Sequence, residues 1–263
     1  MSKRLKLPTR AFGAEPHVPD IAALSDWIAD NRGTAADLTT YRLTRSLAPQ
    51  LEAGIGFPCA GGLFMQDRIL ECMAGAAKGR VTDELSVRTG QLAEDGYTVA
   101  AMYRNGWCAL PAPHRLGLAD AYYHDDEEWS DALNGFYATV MRTMRDAGVY
   151  GTVLIGDRAD VGEIAALADQ KVFFFLLTPD RKSLATLMEY QRQVAVDKDH
   201  IRLVFDLMDE YTLQKLCILD PDPEAIRLAR SRLDPDQIVA AGYCTKECDA
   251  YWKDVAEKGV CER

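Results

Sequence analysis

Residues 150–206 alternate short unbroken apolar runs with amphipathic ones, and that alternation constrains a chain to lay parallel strands beneath crossover helices. Thr152-Val153-Leu154-Ile155 stops at Gly156-Asp157, and residues 172–177 stop at Thr178-Pro179-Asp180. Such β-branched and aromatic runs, too short for a helix, suit strands buried on both faces. Between them Asp160-Val161-Gly162-Glu163 reads as a capping box, with Ile164, Leu167 and Ala168 following on one helical face. A second amphipathic run passes through Leu184, Leu187, Met188 and Gln191 to Val194. It leads into residues 201–205, a third expected strand that ends at Asp206.

The rest of the chain is read outward from that unit. Residues 1–19 form an extended lead-in, because Pro8, Pro16 and Pro19 block regular structure. Residues 20–95 are mostly helical, beginning with a helix that Asp20 caps and that stops near Asn31-Arg32-Gly33. Within them residues 54–62 are dense in glycine and open an amphipathic run, so a phosphate could sit on the exposed amides at that helix start. The spacing is not G-x-G-x-x-G, which weakens that reading against a tight interhelical turn. Residues 82–94 read as a helix ended by Asp95-Gly96, residues 97–103 as the first strand, and residues 104–128 as a long loop without periodicity. Residues 129–147 return to a helix. A short strand at 216–219, a helix started by Asp222-Pro223-Glu224, a last strand at 237–241 and a terminal helix capped by Thr245 complete the chain.

The fold expected is α/β, a mainly parallel sheet with crossover helices and a mostly helical N-terminal region. An incomplete or full β/α barrel is the alternative, since eight strands would require some before Tyr97 that the pattern does not supply. Residues 96–263 are expected to form the α/β domain, packed with 20–95 into one compact unit.

Forty acidic side chains against 30 basic ones give a net charge of −10, which repels nucleic acid. No apolar run approaches the roughly 18–20 residues that span a bilayer, and the first residues lack the apolar stretch of a signal peptide. Seven cysteines, an odd number scattered along the chain, suit a reducing compartment. The expectation is a cytoplasmic protein whose partner is a small molecule, without nucleic acid or membrane, and with self-association left open.

Ligands of parallel sheets gather at the carboxyl ends of the strands. Asp157, Asp180 and Asp206 are expected there, with Asp209 and Glu210 one turn beyond Asp206. This acidic rim could hold a divalent metal such as Mg²⁺ or move protons, although an aspartate after a strand also caps the next helix. Asp206, Asp209 and His114 are the catalytic candidates, and Asp206 with Glu210 the candidate metal ligands. Arg104, Asn105, Trp107, Arg115 and Tyr123, together with Asp157, are the candidate substrate contacts, because mixed cationic and aromatic groups suit a small polar or anionic metabolite. Cys244-Thr-Lys-Glu-Cys248 places two thiols at a helix start, where they could hold a soft metal. No G-x-S-x-G and no P-loop is present. The function expected is an enzyme performing metal-assisted hydrolysis, lysis or group transfer on a small metabolite. The alternative is a non-catalytic accessory protein that binds a metal or cofactor through Cys244 and Cys248.

Overall fold

A computed structural model describes residues 4–31 and 35–262; the expected helix stop at Arg32-Gly33 and the basic opening as far as Lys3 lie outside the described residues. Eight parallel strands follow one another in chain order: β1 (Thr9–Ala14), β2 (Cys59–Gly61), β3 (Trp107–Pro111), β4 (Gly151–Gly156), β5 (Val172–Leu176), β6 (Gln193–Val196), β7 (Lys215–Leu219) and β8 (Ile238–Cys244). Backbone ladders join them into two halves, β2-β3-β4-β5 and β6-β7-β8-β1.

Two seams close the ring. At the first, Ala11 N–H donates to Phe57 O at 2.9 Å and Phe57 N–H to Thr9 O at 3.0 Å, just ahead of β2. At the second, the side-chain amide of Gln191 stands in for a strand: its Nε2 donates to Phe174 O and its Oε1 accepts from Phe174 N, both at 3.0 Å. The expected class, parallel strands with crossover helices, is therefore realised as a full β/α barrel. Replacing Gln191 with leucine would leave both backbone groups of a barrel strand without these partners. The expected loss is about 1–3 kcal/mol of stability, read from urea unfolding, and a variant as stable as wild type would show that the seam does not depend on this amide.

Side chains along each strand alternate between a central cluster and two outer ones. Phe12, Phe173 and Phe175 fill the centre, with Phe12 stacked 4.9 Å from Phe175 and tilted 43° at 4.7 Å from Phe173. Ala109, Ala195, Cys217 and Ala241 leave the room these rings need. Toward the amino end the Arg10 guanidinium is 4.5 Å from the ring centroids of both Trp107 and Phe173 and 5.3 Å from Phe12.

The surrounding helices are α1 (Ile21–Asp30), α2 (Leu38–Glu52), α3 (Met65–Cys72), α4 (Thr89–Met102), α5 (Asp126–Asp146), α6 (Val161–Leu167), α7 (Arg181–Tyr190), α8 (Ile201–Leu207), α9 (Pro223–Arg230) and α10 (Cys248–Lys258). None is long and apolar enough to cross a membrane. Several expectations change. The lead-in is extended but supplies β1. Residues 20–95 contain β2 and a hairpin, Met73–Ala77 with Arg80–Val87, besides their helices. Residues 97–103 are not a strand: Leu92, Asp95, Gly96 and Val99 are buried at helical spacing through α4. Residues 201–205 are likewise helical, with Ile201, Val204, Phe205 and Leu207 buried. Their start is fixed by the Asp197 carboxylate, which accepts from the amides of Asp199 and His200. The strand of that unit is β6, whose first half lies in the amphipathic run expected to continue to Val194. The expected loop 104–128 contains β3 and a 3₁₀ turn (Pro113–Leu116). Glu247, not Thr245, caps α10.

Candidate active site at the carboxyl mouth of the barrel

At three strand ends a glycine stands where a side chain would collide with a polar group. A Cβ on Gly62 would lie 2.4 Å from Glu15 Oε1, one on Gly156 3.2 Å from the His114 ring, and one on Gly242 2.5 Å from the Tyr251 hydroxyl. The glycines let these three groups approach the rim closely.

Glu15, one residue past β1, binds back into the barrel. Its Oε1 accepts from the Leu63 amide at 2.5 Å and from the Tyr243 hydroxyl at 2.6 Å, and its Oε2 lies 3.4 Å from Arg42. The amide considered for a phosphate is thus already taken by an internal carboxylate. Burial, then the neighbouring Glu15 charge, pushes the Tyr243 hydroxyl well above its ordinary pKa, so it remains a donor. On the same strand end the Tyr251 hydroxyl donates to Asp220 Oδ1 at 2.5 Å and accepts from the Tyr243 amide at 3.0 Å.

His114, in the turn after β3, is held by two carboxylates. Glu163 on α6 accepts from the His114 amide at 2.6 Å and faces ring Nδ1 at 2.8 Å, while Asp157, after β4, faces Nε2 at 2.8 Å. Arg115 Nη1 lies 3.6 Å from the other Asp157 oxygen. With a carboxylate on each ring nitrogen the imidazole is best satisfied as a doubly protonated cation. Burial opposes that charge, but the bond to Glu163 and its negative charge outweigh it, and the His114 pKa is raised above 6.5. The Asp157 pKa is lowered, because the His114 bond and charge and the nearby Arg115 overcome its slight burial. Asp157 is therefore a fixed anion, 53% exposed toward the mouth.

These directions set a pH dependence. A folded pKa raised above 6.5 means that the His114 contribution is complete below that pH and is lost as pH climbs through the raised value. The Asp157 contribution runs the other way, present above 3.8 and lost as pH falls below it. Thermal melts of wild type and His114→Gln should differ most below pH 6.5 and converge as pH rises through the raised value. A gap that stays constant across that range would mean that His114 is not cationic in the folded protein.

Cys244 ends β8 and Cys248 opens α10, and both sulfurs lie near the Lys246 carbonyl, at 3.6 and 3.7 Å. A hydrogen bond from Cys248 lowers the Cys244 pKa against its burial and correspondingly raises that of Cys248. Among the described residues no group of three or more His, Cys, Asp or Glu is placed to hold a metal ion.

The mouth thus brings together His114, Arg115, Asp157, Cys244 and Cys248 from the residues singled out in the sequence. Others lie elsewhere. Asp206 is exposed near the end of α8, and Asp209 and Glu210 are exposed in the turn beyond it, where the chain returns toward the start of β7. They left the rim because residues 201–205 form a helix, and the residue following β6 is Asp197. Asp180 caps α7 through the Ser183 amide at 2.7 Å. Arg104 and Asn105 are exposed in the turn before β3, and Trp107 opens that strand, so all three belong to the amino end. Tyr123 lies outside the barrel, its hydroxyl accepting from the Leu85 amide at 3.0 Å and its ring 6.2 Å from Trp129. Glu15, Glu163, Asp220, Tyr243 and Tyr251 were missed. The sequence pattern places Glu163 in a capping box; Asp160 does cap α6, but the Glu163 carboxylate turns to His114 instead. Glycine at the strand ends was the available signal.

No family model and no curated protein sequence matches this chain. Solved structures do. It is similar to a putative vitamin-B12 independent methionine synthase from Listeria monocytogenes, with 15% identity and a TM-score of 0.67 over 96% of this chain and 94% of that one. A B12-independent methionine synthase from Shewanella sp. W3-18-1, solved in complex with selenomethionine, gives 14% identity and a TM-score of 0.65 over 97% and 96%. A methyltransferase from Methanosarcina mazei gives 10% and 0.55 over 97% and 93%. Identities this low establish a shared fold alone.

Proposed function

We propose that the chain is an enzyme that binds a small zwitterionic metabolite, an amino acid carrying sulfur, at the carboxyl mouth of the barrel, and that its reaction is group transfer. The observation that carries this reading is the opposite charges of Arg115 and Asp157, 3.6 Å apart at the mouth, with Asp157 held by His114 and His114 in turn by Glu163. Arg115 suits a carboxylate and Asp157 an ammonium group. Glu15, Tyr243, Tyr251 and Asp220 are tied to one another and shape the opposite wall. Cys244, buried at the end of β8 beside Cys248, adds a soft sulfur behind that wall. The Shewanella protein, which shares the fold, was solved with selenomethionine, and that ligand has the chemistry this mouth would recognise. Of hydrolysis, lysis and group transfer, the last is favoured by the shared fold with the Methanosarcina mazei methyltransferase.

Titration calorimetry with L-methionine tests the reading. Binding is expected for wild type and is expected to weaken in Asp157→Asn. Heats indistinguishable from dilution, or an affinity that ignores Asp157, would remove the amino acid from the mouth.

A second reading keeps Cys244 and Cys248 as the holders of a soft metal or cofactor in a non-catalytic accessory protein, favoured by their shared approach to one carbonyl. Two sulfurs without a third ligand among the described residues fall short of the four protein ligands of a structural zinc site. Elemental analysis of anaerobically purified protein separates the readings, since stoichiometric metal lost in a Cys244→Ser, Cys248→Ser variant would favour this second one.

A further inference from the structure

All seven cysteines are free thiols, and among the described residues only Cys244 and Cys248 share a hydrogen bond between sulfurs. Cys59 and Cys108 stand on neighbouring strands, but Cys59 belongs to the central cluster and Cys108 to an outer one, so the sheet separates them.

Packing of two regular elements builds the contact. Cys248, Trp252 and Val255 are the buried stripe of α10, the helix that lies on β8, and Cys248 is the first of them. Cys244 is the last residue of β8, where its carbonyl accepts the Glu15 amide at 2.7 Å. Between the two, residues 245–247 form an exposed bend, and both sulfurs reach its Lys246 carbonyl, at 3.6 and 3.7 Å. A cysteine that only fills space acts as a small apolar residue and needs no second sulfur beside it. Cys248 is also the most exposed of the seven, at 8% against 0–4% for the others. A small oxidant therefore reaches the pair from the side of the bend, and the bend supplies the freedom to draw the sulfurs together.

We propose that Cys244 and Cys248 are a reversible oxidation site, at which hydrogen peroxide converts the two thiols to a disulfide. A thiolate of the pair attacks one peroxide oxygen; the O–O bond breaks, hydroxide leaves, and that sulfur becomes a sulfenic acid. The second sulfur, giving up its proton, attacks the sulfenic sulfur and displaces a second hydroxide. Two thiols and one peroxide become one disulfide and two waters, each sulfur losing one electron. The bond would staple the start of α10, which carries Tyr251, to the strand end that carries Tyr243. It would also occupy both sulfurs, so oxidation and the binding of a soft metal there exclude each other.

Trypsin cuts after Lys246, between the two cysteines, so a disulfide would join the peptides 233–246 and 247–253. The folded full chain, reduced and freed of metal by a chelator, is treated with hydrogen peroxide at a dose that oxidises the thiols of the unfolded chain. It is then alkylated in denaturant, digested and weighed by mass spectrometry. The joined peptides should appear, two hydrogens lighter than their sum, while free thiols fall from seven to five and dithiothreitol restores all seven. The proposal fails if Cys244 and Cys248 are recovered alkylated, if the disulfide joins any other two cysteines, or if dithiothreitol does not reverse the loss. Failure here leaves both functional readings intact, since they rest on L-methionine binding and on elemental analysis.

Discussion

Replacing Arg68 with methionine is expected to cost about 3–5 kcal/mol of stability, a large share of the roughly 5–15 kcal/mol that holds a protein folded. The Arg68 side chain on α3 is fully buried, with Nε donating to Asp95 Oδ2 at 2.6 Å and the two terminal nitrogens reaching Asp37 and Glu71 at 2.5 Å. Asp95, in the middle of α4, is also fully buried and receives a second bond from the Thr40 hydroxyl at 3.1 Å. One guanidinium thereby ties α3 to α4 and to the cap of α2, three elements that wall the first half of the barrel. Without it Asp95 is a buried carboxyl with no countercharge. Even in the wild type, burial pushes the Asp95 pKa up to about 6 against the pull of Arg68. A carboxyl whose folded pKa exceeds its unfolded 3.8 loses stability as pH rises between the two values, so the variant should be weaker at about pH 8 than at about pH 5. Adding Asp95→Asn should recover part of the loss, because a neutral amide is less costly to bury than a lone charge. Urea midpoints for the two single variants and the double variant read the coupling directly. Additive losses would show that the pair does not act as a unit.

Arg115→Gln should weaken L-methionine binding by about tenfold to a hundredfold, the range expected when a charge-assisted bond to a ligand carboxylate is removed. Glutamine keeps some of the reach and hydrogen-bonding capacity while losing the charge. Because Arg115 is 25% exposed and its contact with Asp157 is 3.6 Å long, the cost to folding should be small, and the loss should show in affinity rather than in melting temperature. L-Methionine methyl ester, whose carboxylate is masked, should bind wild type and Arg115→Gln alike. An ester that still discriminates between them would assign Arg115 a role other than carboxylate recognition.

Half of the barrel was legible in the sequence because half of it obeys local rules. β4, β5 and the start of β8 are runs of apolar or β-branched residues, and Asp20, Asp160, Asp180 and Asp222 each cap the helix that follows them. The strands that escaped notice are short or built from small residues: β2 is Cys59-Ala60-Gly61, and β3 joins Trp107 to Pro111 through cysteine, alanine and leucine. They need no β-branched signature, since Phe12, Phe173 and Phe175 fill the interior that they line. Residues 201–205 misled for the opposite reason. Their apolar content suits a strand, and only the Asp197 turn before them turns the segment into a helix. That one reversal carried Asp206, Asp209 and Glu210 off the rim. His114 and Asp157 survived because each follows a strand closely, whereas Glu15 and Tyr243 meet across a separation of 228 residues that no local pattern can reveal.

In crystals soaked with L-selenomethionine, the anomalous signal of selenium locates the ligand's sulfur position. A selenium peak is expected inside the ring of Glu15, Arg115, Asp157, Asp220 and Tyr243, with the ligand carboxylate on Arg115 and its ammonium group on Asp157. A peak outside that ring, or none at a concentration that saturates the calorimetric titration, would contradict the amino-acid reading.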